Sequence, residues 1–248
     1  MMARQARLLF TVMVVAALLS GCCPLTAVGR ISSREVSGSG RLETRQFDLA
    51  DFTAVEISHA IQAELIQSDS YAVQITADDN MFDRIEVIKS ARTLRIGLQR
   101  NVSYRNNTVR AKISMPNLRE VELSGASQGT LTGFSSTDDL RVVLSGASTL
   151  RGDISAGDIR CNVSGASALV LRGAGRNGML TVSGASTVDL QQFSLHDLDA
   201  EVSGASRAEV EVSGTLNATL SGASSLIYGG NPRLDRTSVT GASTLRKR

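Results

Sequence analysis

Polar and apolar residues alternate with a period of two on either side of a tetrapeptide that recurs along the second half of the chain. The tetrapeptide is Ser-Gly-Ala-Ser, and every copy is preceded by Val or Leu. Two positions before each copy the residue is mostly polar, and three positions before it is mostly apolar again. Because successive side chains of a strand point to opposite faces, this alternation predicts a β-strand with one buried face leading into each copy. The copies begin at Ser124, Ser145, Ser164, Ser183, Ser203 and Ser221 and, as Thr-Gly-Ala-Ser, at Thr240.

The spacing between copies is 18 to 21 residues, about nineteen on average. A fixed period of this kind is typical of a solenoid, and helical repeats are longer, at about 33 to 47 residues. Alternation resumes after the tetrapeptide, as in Leu169–Leu171 and Val188–Leu190, so each repeat has a strand, a small-residue corner and a second strand. A third, less regular segment closes each coil, with Phe134, Ile154 and Phe193 as candidate core residues. The pattern predicts an all-β fold, a β-solenoid of seven stacked coils with parallel strands.

The residue types of the tetrapeptide suit a corner between two strands. Gly adopts positive φ where the chain bends, Ala is small enough to point into a cramped corner, and Ser hydroxyls bond backbone groups or stack as a ladder between coils. A catalytic role is disfavoured, because a nucleophile elbow has the form Gly-x-Ser-x-Gly and a nucleophile needs one base rather than seven copies. The chain has only two His residues, His59 and His196.

Residues 41–118 carry a weaker form of the same pattern. Two alternating strands surround Ser58-His59-Ala60, which looks like a degenerate corner, and Asn101–Thr108 is polar enough to be a turn. We expect these residues to form the first coils and to cover one end of the rod, ahead of the tetrapeptide coils of residues 119–248. Further strands are predicted at Tyr71–Thr76, Ile85–Ile88 and Thr93–Leu98.

The start of the chain has the features of a bacterial lipoprotein signal peptide. Arg4 and Arg7 precede a 12-residue apolar run, Leu8–Leu19, which is too short to cross a bilayer. Leu19, Ser20 and Gly21 then resemble the recognition sequence of signal peptidase II, with Cys22 as the lipidated residue. Residues 1–21 are therefore predicted to be the signal peptide, and residues 22–40 a lipidated N-terminus and flexible tether. The alternative is ordinary secretory cleavage beside an incidental Cys.

Lipidation predicts an envelope location. Several acyl chains on Cys22 anchor a protein stably, and Cys23 stands where an Asp would resemble an inner-membrane retention signal, which favours the outer membrane. Without Arg4 and Arg7 the mature chain has 24 basic and 24 acidic residues, so its charge gives no support for nucleic-acid binding. No cofactor and no metal site is expected, since His is 2, Cys is 3 and the scattered Asp residues form no repeated column. Cys161 falls in the inward apolar column and is expected to be buried.

The order of these segments resembles the DUF2807 family, the auto-transporter adhesin head GIN domain, over roughly residues 45–245. The resemblance implies a right-handed parallel β-helix in a secreted or lipid-anchored bacterial protein, implies adhesion, and brings no catalytic residues. It rests on Phe47–Phe52, Val55–Ile66, Ala77–Asn80, Leu94–Leu98 and the tetrapeptide coils.

Three functional hypotheses follow. The first is a non-catalytic, lipid-anchored rod for adhesion or envelope interaction, with the membrane and an envelope protein or glycan as partners. The second is a polysaccharide lyase or hydrolase on a β-helix, which requires carboxylates at a defined separation and usually aromatic platforms, although aromatics are 4% of the chain and Trp is 0. The third is a self-assembling scaffold, a homo-oligomer joined through the C-terminal coil, which stops soon after Leu245.

Overall fold

The computed structural model describes residues 34–248, and the predictions for Leu19, Ser20, Gly21, Cys22 and Cys23 lie outside the described residues. The strands of the described part are β1 (Arg34–Ser37), β2 (Leu42–Phe47), β3 (Ala54–Ile57), β4 (Gln62–Gln67), β5 (Ala72–Asp78), β6 (Ile85–Ser90), β7 (Thr93–Leu98), β8 (Val102–Arg105), β9 (Val109–Met115), β10 (Glu120–Leu123), β11 (Gln128–Ser135), β12 (Leu140–Leu144), β13 (Thr149–Ser155), β14 (Ile159–Val163), β15 (Ala168–Ala174), β16 (Asn177–Val182), β17 (Thr187–Leu195), β18 (Asp197–Val202), β19 (Arg207–Val212), β20 (Thr215–Leu220), β21 (Ser225–Gly230), β22 (Arg233–Val239) and β23 (Thr244–Lys247). One 3₁₀ helix spans Asp79–Arg84.

Two sheets run along the molecule and confirm the predicted β-solenoid. The larger sheet has 11 strands in the order β2-β5-β9-β4-β11-β13-β15-β17-β19-β21-β23, and the smaller has 10 in the order β22-β20-β18-β16-β14-β12-β10-β3-β7-β6. The chain alternates between them, and from β10 to β21 each strand pairs in parallel with the strand about 20 residues further on, in a solenoid of about six turns. Equivalent repeat positions face each other: Val142 pairs with Cys161, and Leu144 with Val163.

The core is the space between the two sheets. The Val or Leu that precedes each tetrapeptide is buried in six of the seven copies, as the alternation predicts. Phe134, Ile154 and Phe193 of the third segment are also buried, although this segment continues the larger sheet through bulges rather than forming a separate element. Each Leu, Val or Phe side chain buried in this way contributes about 1.5–3 kcal/mol. Stability is therefore distributed along the rod.

Antiparallel strands close the N-terminal end. β5 pairs antiparallel with both β2 and β9, and β6 pairs antiparallel with β7. Met81 and Phe82 of the 3₁₀ helix are buried against the same end of the core. On this side, antiparallel strands therefore take the place of the parallel coils in both sheets.

The folded region begins earlier than the sequence predicts. β1, which falls in the segment assigned to the flexible tether, pairs in parallel with β8. β8 in turn lies within Asn101–Thr108, the segment expected to be a turn. The polar composition of both segments hid this pairing, because a two-stranded ribbon at the surface needs no apolar column.

The C-terminal end is open. β22 and β23 are the last strands of their sheets, and the seventh corner starts a coil that ends at β23, so fewer complete turns exist than corners. Val239, which holds the seventh inward position, is 45% exposed and Leu234 is 42% exposed, because no coil formed by residues 34–248 covers them. Among residues 34–248 no helix has the length and hydropathy needed to cross a membrane.

Candidate functional site

The Gly residues of the tetrapeptides stack along one edge of the rod. Each has a positive φ, such as 73° at Gly204 and 78° at Gly222. An ideal Cβ on Gly204 would lie 2.5 Å from the carbonyl oxygen of Gly184, and one on Gly222 would lie 2.7 Å from that of Gly204. These positions therefore require Gly for two reasons, the backbone conformation and the close approach of the next coil.

The first Ser of each tetrapeptide is half-buried at the end of a strand of the smaller sheet. Its hydroxyl donates to the carbonyl oxygen of the preceding coil at Ser164 (to Leu144, 3.3 Å), at Ser203 (to Val182, 3.4 Å) and, for the variant copy, at Thr240 (to Leu220, 3.1 Å). Ser124, Ser145, Ser183 and Ser221 occupy the equivalent positions in their coils. The hydroxyls of Ser164, Ser203 and Thr240 thus bond backbone between coils, which is a structural use.

The second Ser of the tetrapeptide is the buried one, although the first Ser was the expected corner residue. The hydroxyl of Ser127 donates to the Ser124 carbonyl at 2.7 Å, and that of Ser148 to the Ser145 carbonyl at 2.8 Å. The sequence indicates its inward orientation, because it lies an even number of residues before the inward residues of the strand that follows. The six buried members, each at most 2% exposed, are Ser127, Ser148, Ser167, Ser186, Ser206 and Ser224.

The prediction that the corner Ala points inward is wrong. The Ala of each copy is exposed to solvent. The chain leaves the core after the first Ser, and Gly and Ala together form the outer rim before the second Ser re-enters. The backbone of this rim is what links the coils: the Ala205 amide donates to the Gly184 carbonyl, and the Ala223 amide to the Gly204 carbonyl, both at 2.8 Å.

A hollow of about 300 Å³ beside the degenerate corner comes closest to the acidic cleft that the enzyme hypothesis requires. Glu56, Glu86 and Glu122 line it. Partial burial, with the carboxylates of Glu56 and Glu120, raises the pKa of Glu122 above its usual range. Arg95 holds Glu56 in a two-point contact, with nitrogen–oxygen distances of 2.6 and 3.1 Å. Glu56 and Glu122 face each other on adjacent strands.

Ser58 and His59 lie at the edge of the same hollow. The Ser58 hydroxyl is 2.7 Å from Nδ1 of His59, and the Leu98 amide also points at that nitrogen from 3.4 Å. A Ser–His pair acts as nucleophile and base when a third group orients the imidazole. Within residues 34–248 no carboxylate hydrogen-bonds His59, so the contact fixes the corner, where His59 itself has a φ of 65°.

The remaining candidate residues are accounted for by local contacts. Some of the scattered Asp residues pair with Arg on neighbouring coils, as in Asp138 with Arg119 at 2.9 Å and Asp158 with Arg176 at 2.8 Å, and the latter hydrogen bond lowers the pKa of Asp158. In the described part of the chain, no group of three or more His, Cys, Asp or Glu residues is placed to hold a metal ion. Cys161 is buried, and burial raises the pKa of its thiol to about 12.

The fold and the stacked corners define a β-solenoid in which the repeated residues hold adjacent coils together. The family model described as "Putative auto-transporter adhesin, head GIN domain" matches residues 51–232. The chain belongs to this family, DUF2807, as the sequence resemblance predicts. No relative is found among curated proteins.

Several solved structures share the fold. One from Bacteroides fragilis, described as an adhesin, has a TM-score of 0.78 and 18% identity and covers 86% of this chain and 100% of its own. One from Parabacteroides distasonis, described as a lipid-binding protein, has a TM-score of 0.73 and 17% identity, covering 87% and 100%. One from Parabacteroides merdae, described as an adhesin, has a TM-score of 0.66 and 18% identity, covering 87% and 99%. At these identities the likeness establishes the fold.

Proposed function

We propose that this protein is a lipid-anchored protein of the cell envelope that presents a rigid β-solenoid for adhesion and catalyses no reaction. The family description and two of the structural neighbours support an adhesive role. One observation carries the proposal: the repeated hydroxyls of the chain bond the backbone of their own or an adjacent coil. A repeat used in this way builds a long, stiff surface, and a stiff surface held at the cell boundary suits attachment.

The anchor in this proposal is Cys22. The residues Leu19, Ser20 and Gly21 before it resemble a signal peptidase II site, and several acyl chains on one Cys hold a protein at a membrane stably. The next residue, Cys23, is not the Asp that resembles an inner-membrane retention signal, which favours the outer membrane. The partners are then the membrane, through the lipid, and an envelope protein or glycan on the solenoid.

We assign no catalytic reaction to the hollow beside His59. Its carboxylate Glu56 is held by Arg95, which keeps it engaged as an ion-pair partner. Glycoside hydrolysis requires one carboxylic acid and one carboxylate on opposite sides of a bound sugar. Glu56 and Glu122 instead lie side by side on adjacent strands.

The proposal is tested by labelling and attachment in the same cells. Cells producing the full chain and fed an alkyne-bearing palmitate should give a labelled protein in the membrane fraction. Cys22→Ala should lose the label and the membrane association, while the matched control Cys23→Ala should keep both. Removing the protein should reduce attachment of the cells to surfaces, and the Cys22→Ala form should not restore it. Label retained by Cys22→Ala would contradict the anchor, and unchanged attachment without the protein would contradict the adhesive role.

End-to-end self-assembly is a second candidate, favoured by the exposed Leu234 and Val239 on the open last coil. Against it, β22 carries an extra residue opposite Leu216–Ala218, and such bulges and edge charges discourage strand addition. Sedimentation of the purified full chain over a range of concentrations decides between them. Concentration-dependent dimers that Val239→Lys abolishes would support assembly, and a monomer at every concentration would reject it.

A further inference from the structure

A trough of about 510 Å³ lies on the outer face of the larger sheet near the N-terminal end. Its floor is formed by three small residues, Ala63, Ala111 and Gly129, which are adjacent in register on β4, β9 and β11. In the coils that follow, the same register position holds Leu150 and then Leu169. The inward side chains are therefore smaller at the trough than in the coils beyond it.

Neighbouring side chains leave room only for a small residue on the floor. An ideal Cβ on Gly129 would lie 2.9 Å from the Leu123 side chain of the opposite sheet and 2.8 Å from that of Leu150. The core at this level is therefore already filled. The long side chains on the flanking outward positions form the walls of the trough.

Two rows of polar side chains form these walls. They run across five strands, parallel to the rod axis, with neighbouring members about 4.8 Å apart and the rows about 6.6 Å apart. The first row is Thr76, Arg110, Gln62, Gln128 and Thr149, and the second is Gln74, Lys112, Glu64, Thr130 and Arg151.

The trough has a surplus of positive charge. Arg110, Lys112 and Arg151 face a single carboxylate, Glu64, whose contact with Lys112 is loose at 3.9 Å. No carboxylate among residues 34–248 lies within ion-pair distance of Arg110 or Arg151, whereas some outward Arg residues elsewhere on the rod have an ion-pair partner, as Arg95 has in Glu56 at 2.6 Å. Two guanidinium groups are thus free to bind an anion, and a guanidinium matches the geometry of a carboxylate.

We propose that this trough binds a linear acidic glycan, one that carries carboxylates on its sugar rings, lying along the rod axis between the two rows. The amide and hydroxyl side chains can hydrogen-bond to sugar hydroxyls, and the guanidinium and ammonium groups can form ion pairs with uronate carboxylates. No aromatic side chain lines the trough, so neutral sugars have no ring to stack on and charge must supply the affinity. This ligand class is proposed for the adhesive surface, and it therefore rests on the proposed function.

An extended acidic peptide fits this site less well. Peptides that bind sheets add a strand to an open edge, where backbone groups are unpaired. The trough lies in the interior of the sheet, where β4, β9 and β11 already have neighbours on both sides. Its walls also lack the apolar pockets that would hold alternate peptide side chains.

The test is titration calorimetry with the full-length protein in detergent. The probes are oligogalacturonates, neutral malto-oligosaccharides and poly-glutamate. We expect binding of the oligogalacturonate alone, weakened by salt because the contacts are ionic. Arg110→Gln with Arg151→Gln should weaken it by about tenfold or more, since charge-assisted hydrogen bonds are lost. Arg92→Gln with Arg246→Gln, which removes the same charge from exposed positions outside the trough, should leave it within about twofold.

Three results would overturn the inference: no binding of the acidic glycan, equal binding of poly-glutamate, or equal losses in the two double variants. Attachment of cells that carry the trough variant separates this inference from the proposed function. Loss of attachment in the trough variant, but not in the control variant, supports the glycan site as the adhesive surface. If cells with the trough variant still attach, but cells without the protein do not, the glycan site in the trough is contradicted and the adhesive role is still supported.

Discussion

The amide of Ala205 donates a hydrogen bond of 2.8 Å to the carbonyl oxygen of Gly184, one coil earlier in the chain. Bonds of the same kind run from Ala166 to Gly146 and from Ala185 to Gly165, each at 2.7 Å. The corner is therefore a continuation of the sheet hydrogen bonding around the edge of the rod. Each coil is held to the next through the bend as well as through the strands.

The first prediction concerns the Gly stack. Gly204→Ala should destabilise the protein by about 2 kcal/mol or more, because the residue has a φ of 73° and its new Cβ would meet the Gly184 carbonyl. The exposed neighbour offers the matched control, since Ala205→Ser should change the free energy of unfolding by less than about 0.5 kcal/mol. Denaturant unfolding measures both, and equal losses would show that the corner is not closely packed.

The second prediction separates the two serines of one corner. Ser148→Ala removes a buried hydroxyl that donates to the Ser145 carbonyl, and should cost about 1 kcal/mol. Ser145→Ala, at the half-buried first position, should cost less. If the order of the two losses were reversed in unfolding experiments, the first Ser rather than the second would be the main stabilising hydroxyl.

The third prediction concerns Cys161. Because burial raises the pKa of its thiol from 9.0 to about 12, the folded protein resists ionisation that the unfolded chain undergoes. The associated stabilisation is complete below pH 9 and is lost as the pH rises toward about 12. Cys161→Ala should be less stable at neutral pH because it leaves a cavity, but should lose less stability between these limits. The slope of unfolding free energy against pH, measured for both proteins, provides the comparison.

The fourth prediction addresses the acidic hollow. Glu122 faces Glu56 on the adjacent strand, and partial burial, followed by the like charges of Glu56 and Glu120, raises the pKa of Glu122, so that both effects disfavour its ionised form. Glu122→Gln should therefore stabilise the protein at neutral pH by about 0.2–1 kcal/mol, the size of cross-strand pair interactions, because like charges directly opposite in a sheet are destabilising. The gain should vanish at acidic pH, where Glu122 is protonated.

The same variant tests the enzyme hypothesis. A purified wild-type protein that cleaves polysaccharides, with turnover lost in Glu122→Gln, would assign a reaction to the hollow and contradict the non-catalytic proposal. The matched control is Glu120→Gln, which changes a neighbouring carboxylate outside the hollow. We expect no turnover from any of the three proteins.

The sequence predicts the repeated part of this fold well because every coil carries the same alternation of polar and apolar residues and the same tetrapeptide corner. Alternation places Leu144 and Val163 inside, and the short period excludes helical repeats. The orientation within the corner was not predictable from residue size alone: Ala is small enough to be inside, but the chain bulges outward there, and the buried position goes to Ser148 because its hydroxyl can bond a carbonyl without leaving the core.

The ends of the rod and its binding features follow less directly from the sequence. The pairing of β1 with β8 leaves no apolar periodicity in either segment. The trough depends on Ala63, Ala111 and Gly129, which are far apart in the chain and become neighbours only once the register is known. The available signal was that three small residues occupy the same inward position in neighbouring strands of the larger sheet.

Disulfide trapping at the corner rims tests the in-register stacking of identical corners most directly. Ala185 and Ala205 are exposed and lie in adjacent coils, so their separation of about 4.8 Å falls within the range that a disulfide spans. Ala185→Cys with Ala205→Cys should form an intramolecular disulfide under mild oxidation, while Ala185→Cys with Ala223→Cys, two coils apart, should not. Equal cross-linking of both pairs, or none in the adjacent pair, would contradict the stacked arrangement.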